Sequence, residues 1–242
     1  MYKTSDSFHT PDSNYTTWRY MNFTKFVDLL ISKQLFFNRS DKFEDPFEGL
    51  LKVKGEPKDA IEINKLTKEF YFLNCWHLSE FQSDAMWKIF LDTKNGIAIK
   101  STVSNLINCF SETKEDIFIS KIYYRDFNNI TFFDLMKESQ NQLFGGMGGT
   151  INQFNYKRNC FEHEKELRLY FIDYPIPHTV RNGIPRKPLD SKKININVNE
   201  MIQEVIIAPF ADDWFKSLVE NVIKSFGYNF NVTKSELYEL ID

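Results

Sequence analysis

Two glutamates and an arginine occupy every second position in the run EKELR, residues 164–168. Side chains alternate along a β-strand, so Glu164, Glu166 and Arg168 would lie on one face of such a strand. Two carboxylates beside a guanidinium can hold a ribose hydroxyl, orient a nucleophile or stabilise a cationic transition state. The same spacing fits the outer face of an amphipathic strand with a ladder of ion pairs, and spacing alone favours that structural interpretation.

A second group of polar residues lies in the turn FEDPFEG at residues 43–49. Asp45 or Glu48 could bind a ligand hydroxyl from this loop, or the loop could close over a cleft. In the alternative interpretation Asp45 caps the turn, and Phe43 and Phe47 are buried in the core. The turn chemistry of Asp45 and the following proline favours this alternative.

Arg19, in the run WRY at residues 18–20, could recognise a phosphate or a carboxylate. On a strand its side chain points away from those of Trp18 and Tyr20. A partly buried guanidinium presents a rigid set of donors that matches either anion. An exposed arginine, or one paired with an internal acid, explains the residue equally well.

Two cysteine–histidine pairs are candidate zinc ligands. Cys75 and His77, together with Cys160 and His163, could supply four ligands, but their spacing matches no standard zinc finger. Free cysteines are usually just buried, so we expect these four residues to hold no metal ion.

Aromatic and glycine residues give weaker signals. Trp76 and Trp87 could stack on a base or a nicotinamide, although their apolar surroundings favour simple packing. The glycine-rich run at 145–149 lacks the Lys-Ser/Thr of a phosphate-binding loop, which favours a flexible break between helices.

These residues have to be positioned by strands and helices that interleave without a strict β-α-β period. We therefore predict an α+β fold, a single mixed-sheet domain with flanking helices over residues 15–242. Residues 1–14 are expected to form a loose arm, and 128–160 a helical insertion. Strands are predicted at 15–21, 35–39, 69–76, 96–101, 119–127, 165–173, 193–199 and 204–209. Helices are predicted at 22–34, 58–69, 83–93, 102–110, 132–144 and 211–227.

The composition limits the function further. The 242 residues include 30 Lys+Arg and 33 Asp+Glu, a net charge of −3, which argues against strong non-specific binding to nucleic acid. The three cysteines are scattered, as in proteins of a reducing compartment. No signal peptide and no membrane-spanning run is visible, so we expect a cytoplasmic location.

The motifs also follow one another in a recognisable order. The chain reads W-R-Y, K-F-x-x-L-L, L-F-F-x-R, F-x-D-P-F-E-G, C-W, M-W-K-x-F, G-I-A-I, K-I-x-Y, E-x-E-L-R and I-I-A-P. This series resembles the bacterial domain of unknown function 2971 (DUF2971), similar in style to abortive-infection proteins of the AbiG type. Two positions depart from the family pattern: His77 replaces a serine and Phe90 replaces a tyrosine. The resemblance implies a place among phage-defence or toxin–antitoxin proteins.

At the level of the fold, the chain is also similar to the ADP-ribosyltransferase superfamily. This similarity implies NAD as cofactor, with Arg19 on its phosphate or ribose and the strand end at residues 75–77 beside the nicotinamide. Glu166 would bind the ribose and stabilise an oxocarbenium-like transition state, and Glu164 would orient the acceptor. The residues expected to bind the cofactor are Arg19, Tyr20, Asp45, Glu48, Trp76, His77, Trp87 and Arg168.

Three functions are compatible with these observations. The first is an enzyme that transfers ADP-ribose from NAD or a related nucleotide. The second is a non-catalytic or antitoxin-like module that binds a protein partner from a defence locus. The third is a metal-dependent nuclease with Asp45, Glu48, Glu164 and Glu166 as ligands, although no clean signature of that chemistry is present.

Overall fold

The computed structural model describes residues 1–91, 94–142, 152–173 and 189–239, and it confirms the predicted mixed α+β class. The strands are β1 (Thr16–Asn22), β2 (Gln34–Arg39), β3 (Tyr71–Leu78), β4 (Gly96–Thr102), β5 (Ile117–Lys121), β6 (Tyr123–Arg125), β7 (Tyr156–Arg158), β8 (Glu166–Ile172), β9 (Ser191–Asn195), β10 (Glu204–Ile207) and β11 (Asn231–Lys234). The helices are α1 (Phe23–Ser32), α2 (Lys58–Thr67), α3 (Asp84–Phe90), α4 (Val103–Asn108), α5 (Phe132–Gln142), α6 (Val198–Met201) and α7 (Asp213–Ser225).

Most described strands belong to one mixed sheet. Along its main path the order is β11-β10-β4-β1-β3-β2-β9, and β8 pairs with both β3 and β5. All pairs in this sheet are antiparallel except β10 with β11. A separate parallel pair joins β6 to β7.

Two different strands pair with the same edge of the central strand β3. On this edge β2 pairs with Phe72 and Leu73, and β1 pairs with His77 and Leu78. Residues 74–76 lie between these two pairings, and no described strand pairs with them there. On its other edge β3 pairs with β8 continuously from Tyr71 to His77. The sheet therefore forks, with β1 and β2 as the two arms of the fork.

Helix α1 connects the two arms of the fork, and its sequence specifies where it begins and ends. The side chain of Asn22 accepts a hydrogen bond from the backbone N–H of Lys25 and caps the first turn. Phe26 and Leu30, one turn apart, are both buried and hold the helix against the sheet. Lys33 adopts the left-handed conformation, φ 52°, and ends the helix.

The main hydrophobic core lies between the sheet and its helices. Ile97 and Ile99 of β4 are fully buried, as are Phe26 of α1 and Val219 of α7. Burial of an apolar side chain of this size stabilises the fold by about 1.5–3 kcal/mol. The same packing fixes the orientation of β1, which lies beside β4 along its whole length.

Several predicted elements have different bounds in the structure. The predicted strand 119–127 is divided into β5, which pairs with β8, and β6, which pairs with β7 in a separate sheet. The predicted strand 193–199 ends at Asn195, since Asn197 caps the short helix α6. Strand β11 was missed by the sequence pattern.

The first residues of the chain do not form the expected loose arm. Tyr2 bridges to Ile117, and Phe8 stacks on Phe118 with ring centroids 4.7 Å apart. The N–H of His9 donates to the Ser120 hydroxyl at 2.9 Å. This segment therefore lies along β5.

The insertion expected at 128–160 is only partly helical where it is described. It contains α5, short 3-10 turns at Gln153–Asn155 and Asn159–Glu164, and the strand β7 between those turns. The glycine-rich run at 145–149 lies outside the described residues. In the described ranges, no helix has the length and apolar character needed to cross a bilayer.

Candidate active site

A cavity of about 570 Å³ opens at the fork of the sheet. Five consecutive residues of β3, from Leu73 to His77, line it. Neighbouring residues of a strand point to opposite faces, so a cavity that contacts all five must lie at the edge of the strand. This is the edge that neither β1 nor β2 covers. The volume is within the range typical of small-molecule sites.

The cavity walls combine apolar and charged side chains. Trp18, Met21, Leu35 and Met86 contribute apolar surface, and Lys25 and Asp28 of α1 lie at the rim. Six of the ten residues predicted for the site also line the cavity: Arg19, Tyr20, Trp76, His77, Glu164 and Glu166.

Arg19 reaches across the fork from β1 to β3. Its Nη1 donates to Asn74 Oδ1 at 2.7 Å and to the carbonyl of Cys75 at 2.9 Å, and its guanidinium carbon lies 5.8 Å from the ring centre of Trp76. No described carboxylate forms an ion pair with Arg19, and its Nε and Nη2 have no hydrogen-bond partner among the described residues. Burial lowers the pKa of Arg19 to about 10, so the group stays cationic at neutral pH. The cavity therefore contains a charged donor that has no counter-ion in the described part of the chain.

Asn74 connects the two arms of the fork. Its Oδ1 accepts from Arg19 Nη1 and from Trp76 Nε1, the latter at 2.8 Å. Its Nδ2 donates to the carbonyl of Phe36 on β2 at 2.9 Å. One buried amide thus bonds to β1, to β2 and to a cavity-lining indole.

We expect Asn74→Ala to lower the free energy of unfolding by about 2–4 kcal/mol, since three hydrogen bonds are lost and the buried indole N–H of Trp76 is left unpaired. Urea denaturation of both proteins measures this difference. Asn64→Ala is the matched control, since Asn64 lies on α2, a helix without buried residues, and its Nδ2 donates one hydrogen bond to Glu56 in the segment before that helix. Equal stabilities of Asn74→Ala and Asn64→Ala would contradict a connecting role for Asn74.

Glu166 is a buried but ionised carboxylate at the start of β8. Its Oε2 accepts from Arg168 Nη2 at 2.8 Å and lies 3.6 Å from Lys157 Nζ. Burial alone would raise the pKa of Glu166, but the charges of Arg168 and Lys157 outweigh burial and lower the pKa to about 2. A fixed negative charge therefore borders the cavity.

Because the pKa of Glu166 is low in the folded protein, we expect the free energy of unfolding to depend on pH in the acidic range. A carboxylate with a pKa near 4.5 when unfolded and about 2 when folded stabilises the fold above pH 4.5. This contribution, on the order of 3 kcal/mol, is lost as the pH falls from 4.5 to 2. We expect Glu166→Gln to flatten this part of the stability profile, as measured by urea denaturation between pH 6 and pH 2.5. An unchanged slope would show that the pKa of Glu166 is not lowered in the folded protein.

Arg168 lies behind Glu166 and does not reach the cavity, contrary to the predicted ligand-binding role. Its side chain is 0% exposed and forms a two-fold ion pair with Glu48, at 2.5 and 3.0 Å. Nη1 also donates to the carbonyl of Phe154 at 2.9 Å. Glu48 is equally buried, so both residues position Glu166 and neither is available to a ligand.

Glu164 reaches the cavity from a different element than predicted. It lies in the 3-10 turn before β8, and Lys165, at φ 40°, separates it from the strand. Glu164 therefore shares no strand face with Glu166. Its carboxylate pairs with Lys157 Nζ at 2.5 Å. Burial, followed by the charge of Glu166, raises the pKa of Glu164.

Two further predicted ligand residues lie away from the cavity. Asp45 accepts from the Phe47 N–H in its own turn and pairs with Arg158 at 3.0 Å, as the structural interpretation of this loop expected. Trp87 is buried in the core against Tyr20, with ring centroids 4.9 Å apart.

Register places the cavity residues in two groups. Glu166 is directly opposite His77, and these two side chains share one face of the sheet. Trp18 of β1 is also opposite His77, so Arg19 points to the other face, with Asn74 and Trp76. These two groups of side chains lie on opposite faces of the sheet. They line one cavity because no described strand covers the edge of β3 between them.

The metal-based interpretations find no geometric support in the described ranges. There, no group of three or more His, Cys, Asp or Glu residues is arranged to hold a metal ion. Cys75 is half-buried in the cavity wall, whereas Cys160 is exposed. Glu48 and Glu166 both point at Arg168 instead of at a common centre.

Sequence reasoning missed two residues of the site, Asn74 and Lys157. Asn74 is a polar residue inside an otherwise apolar strand, and this signal was available in the sequence. Lys157 lies on β7, at 11% side-chain exposure, between Glu164 and Glu166. No local pattern marks it, because its partners come from the following turn and strand.

Comparisons with known proteins leave the family open. No family model matches the chain, and no curated protein matches it. A solved structure titled "Thermus sp. 2.9 DarT in complex with NAD+" is similar at 9% identity, over 96% of this chain and 100% of that chain, with a TM-score of 0.39. So loose a likeness assigns no ligand to the present chain, and the resemblance to DUF2971 stays a prediction.

Proposed function

We propose that this protein is an enzyme that binds NAD, or a closely related nucleotide, at the fork of the sheet and transfers the ADP-ribosyl group. The observation that carries the proposal is that two charged residues line the same cavity: an arginine without a counter-ion among the described residues, and an ionised glutamate. The cation suits the anionic end of such a ligand, and the anion suits the carbon at which positive charge develops.

Arg19 is the group that would bind the phosphates. Its Nη1 is already held by Asn74 and by the Cys75 carbonyl, which fixes the plane of the guanidinium. Nε and Nη2 remain as donors for an anion. Because the arginine is fixed before the ligand arrives, little side-chain entropy is lost on binding.

Glu166 is the group that would act on the ribose. Cleavage of the bond between nicotinamide and ribose leaves positive charge on the ribose C1′ and its ring oxygen, as in glycoside hydrolysis. A carboxylate that is ionised and fixed in a buried site stabilises this charge far better than a mobile one in water. Arg168 and Lys157 keep Glu166 ionised, and Arg168 holds it in place.

The apolar part of the wall suits the aromatic rings of a dinucleotide. Trp76 lies beside Arg19 at the open edge, and Trp18, Leu35 and Phe90 line the same cavity. Phe90 is about half exposed and replaces the tyrosine that the family pattern has at this position. A hydroxyl at position 90 is therefore not needed for this proposal.

Two measurements on the wild-type protein test the proposal directly. Isothermal titration should show binding of NAD in competition with ADP-ribose. Release of labelled nicotinamide should then show cleavage of NAD, with transfer of ADP-ribose followed by mass spectrometry of added acceptors. No binding and no nicotinamide release would overturn the proposal.

A binding module without chemistry is the second candidate. It is favoured by one observation: Arg19 and Glu166 each take part in contacts that also stabilise the fold. In that case the protein would bind the nucleotide and leave it intact. Tight binding of NAD, with no release of nicotinamide whichever acceptor is added, would support this candidate.

A further inference from the structure

We infer that His77 is the base that removes the proton from the acceptor, and that the acceptor is a neutral group such as a hydroxyl. This inference deepens the proposed function and rests on it. It starts from the histidine that lines the cavity near the end of β3.

The protonation pattern of His77 follows from one hydrogen bond. Nδ1 lies 2.6 Å from the backbone carbonyl oxygen of Glu164. A carbonyl oxygen can only accept, so Nδ1 must be the nitrogen that carries the hydrogen. A neutral ring then has its lone pair on Nε2, which has no hydrogen-bond partner among the described residues. Burial lowers the pKa of His77, which keeps the ring neutral at pH 7.

The position of His77 suits a base that serves Glu166. The two residues are directly opposite on β3 and β8 and line the same cavity. Facing residues of an antiparallel pair lie about 5 Å apart. An acceptor bound at Nε2 would therefore lie beside the ribose carbon that Glu166 stabilises. A histidine with this geometry is typical of general base catalysis.

The charges around His77 select the kind of acceptor. Glu166 faces it from β8, Glu164 and Lys165 from the turn before β8, and Tyr20 from β1. Lys157 neutralises part of the carboxylate charge. An anionic acceptor would be repelled by the two glutamates and would need no base. A neutral acceptor that keeps its proton until attack fits both conditions.

The balanced step is as follows. The acceptor atom forms a bond to the ribose C1′, and its proton moves to His77 Nε2. The bond between C1′ and the pyridinium nitrogen breaks, and its electron pair leaves with neutral nicotinamide. The imidazolium then releases its proton to solvent, so one proton is produced per transfer.

His77→Asn separates the structural role of the ring from the chemical one. The asparagine amide can still donate to the Glu164 carbonyl, but no group remains at the position of Nε2. We expect a fall in kcat of about 100-fold or more, with the KM for NAD changed by less than about 3-fold. Wild-type kcat should fall at acidic pH with an apparent pKa below 6.5, and His77→Asn should lack this acid limb.

Nitrogen NMR gives a readout that does not depend on activity. With the ring of His77 labelled and assigned by comparison with His77→Asn, we expect a neutral ring protonated on Nδ1 at pH 7. A ring protonated on Nε2, or a doubly protonated ring, would overturn the inference.

The comparison of wild type with His77→Asn distinguishes a wrong role for His77 from a wrong proposed function. If wild-type protein cleaves NAD and His77→Asn does so equally fast, only the role of His77 is wrong. If wild-type protein neither binds nor cleaves NAD, the proposed function is wrong and this role is lost with it.

Discussion

Glu166→Gln should lower kcat for nicotinamide release by at least about 100-fold while the protein remains folded. Glutamine has nearly the same shape and can still accept a hydrogen bond from Arg168, but it has no negative charge to stabilise the oxocarbenium ion. The affinity for NAD should change little, because the charge develops only in the transition state. Single-turnover kinetics with labelled NAD, together with circular dichroism, measure both effects.

Glu48→Gln is the matched control for this experiment. Glu48 binds the same arginine as Glu166, at 2.5 and 3.0 Å, but does not line the cavity. Loss of its charge should lower the melting temperature at least as much as Glu166→Gln, since a buried ion pair is broken in both proteins. We expect Glu48→Gln to keep kcat within about ten-fold of wild type. Equal losses of kcat in the two variants would mean that the effect of Glu166→Gln is structural.

Arg19→Ala should weaken NAD binding by about 10- to 100-fold, since a hydrogen bond to a charged group contributes about 1.5–3 kcal/mol. Arg19→Lys should recover only part of the affinity. Lysine keeps the positive charge but cannot bond to Asn74, the Cys75 carbonyl and a phosphate at the same time. Isothermal titration with NAD measures these changes.

Two controls show whether Arg19 acts on the phosphates. Nicotinamide riboside has no phosphate, so its affinity should be nearly the same for wild type and Arg19→Ala. Arg39→Ala removes another buried arginine, one that pairs with Asp41 at 2.7 Å outside the cavity, and should lower stability without affecting NAD binding. An equal loss of affinity for nicotinamide riboside would place Arg19 away from the phosphates.

Helix caps and turns of this fold are well predicted from the sequence, because each depends on the type of a single residue. Asn22 and Ser83 are residue types that favour the N-cap position, and both cap their helices, because capping depends on neighbours within three positions. Gly49 adopts φ 66° at the end of its turn for the same local reason. The α+β class follows from the interleaving of such elements.

The fork and the buried ion-pair network could not be predicted in this way. Pairing of β3 with two different strands on one edge depends on residues more than 30 positions apart. Glu48 and Arg168 are separated by 120 positions, so their local patterns gave no indication that they would form a buried ion pair. Each was interpreted as a potential ligand because both carry charges that suit chemistry. Only the tertiary structure shows that they support Glu166 from behind.

The two arms of the fork are consecutive strands, joined only by the ten residues of α1 and the residue after it. The length of α1 therefore sets the distance between β1 and β2 on the two sides of the cavity. Removing one helical turn would pull the arms together and leave no room for a dinucleotide. Relatives that bind larger or smaller ligands at this place should differ first in the length of that helix.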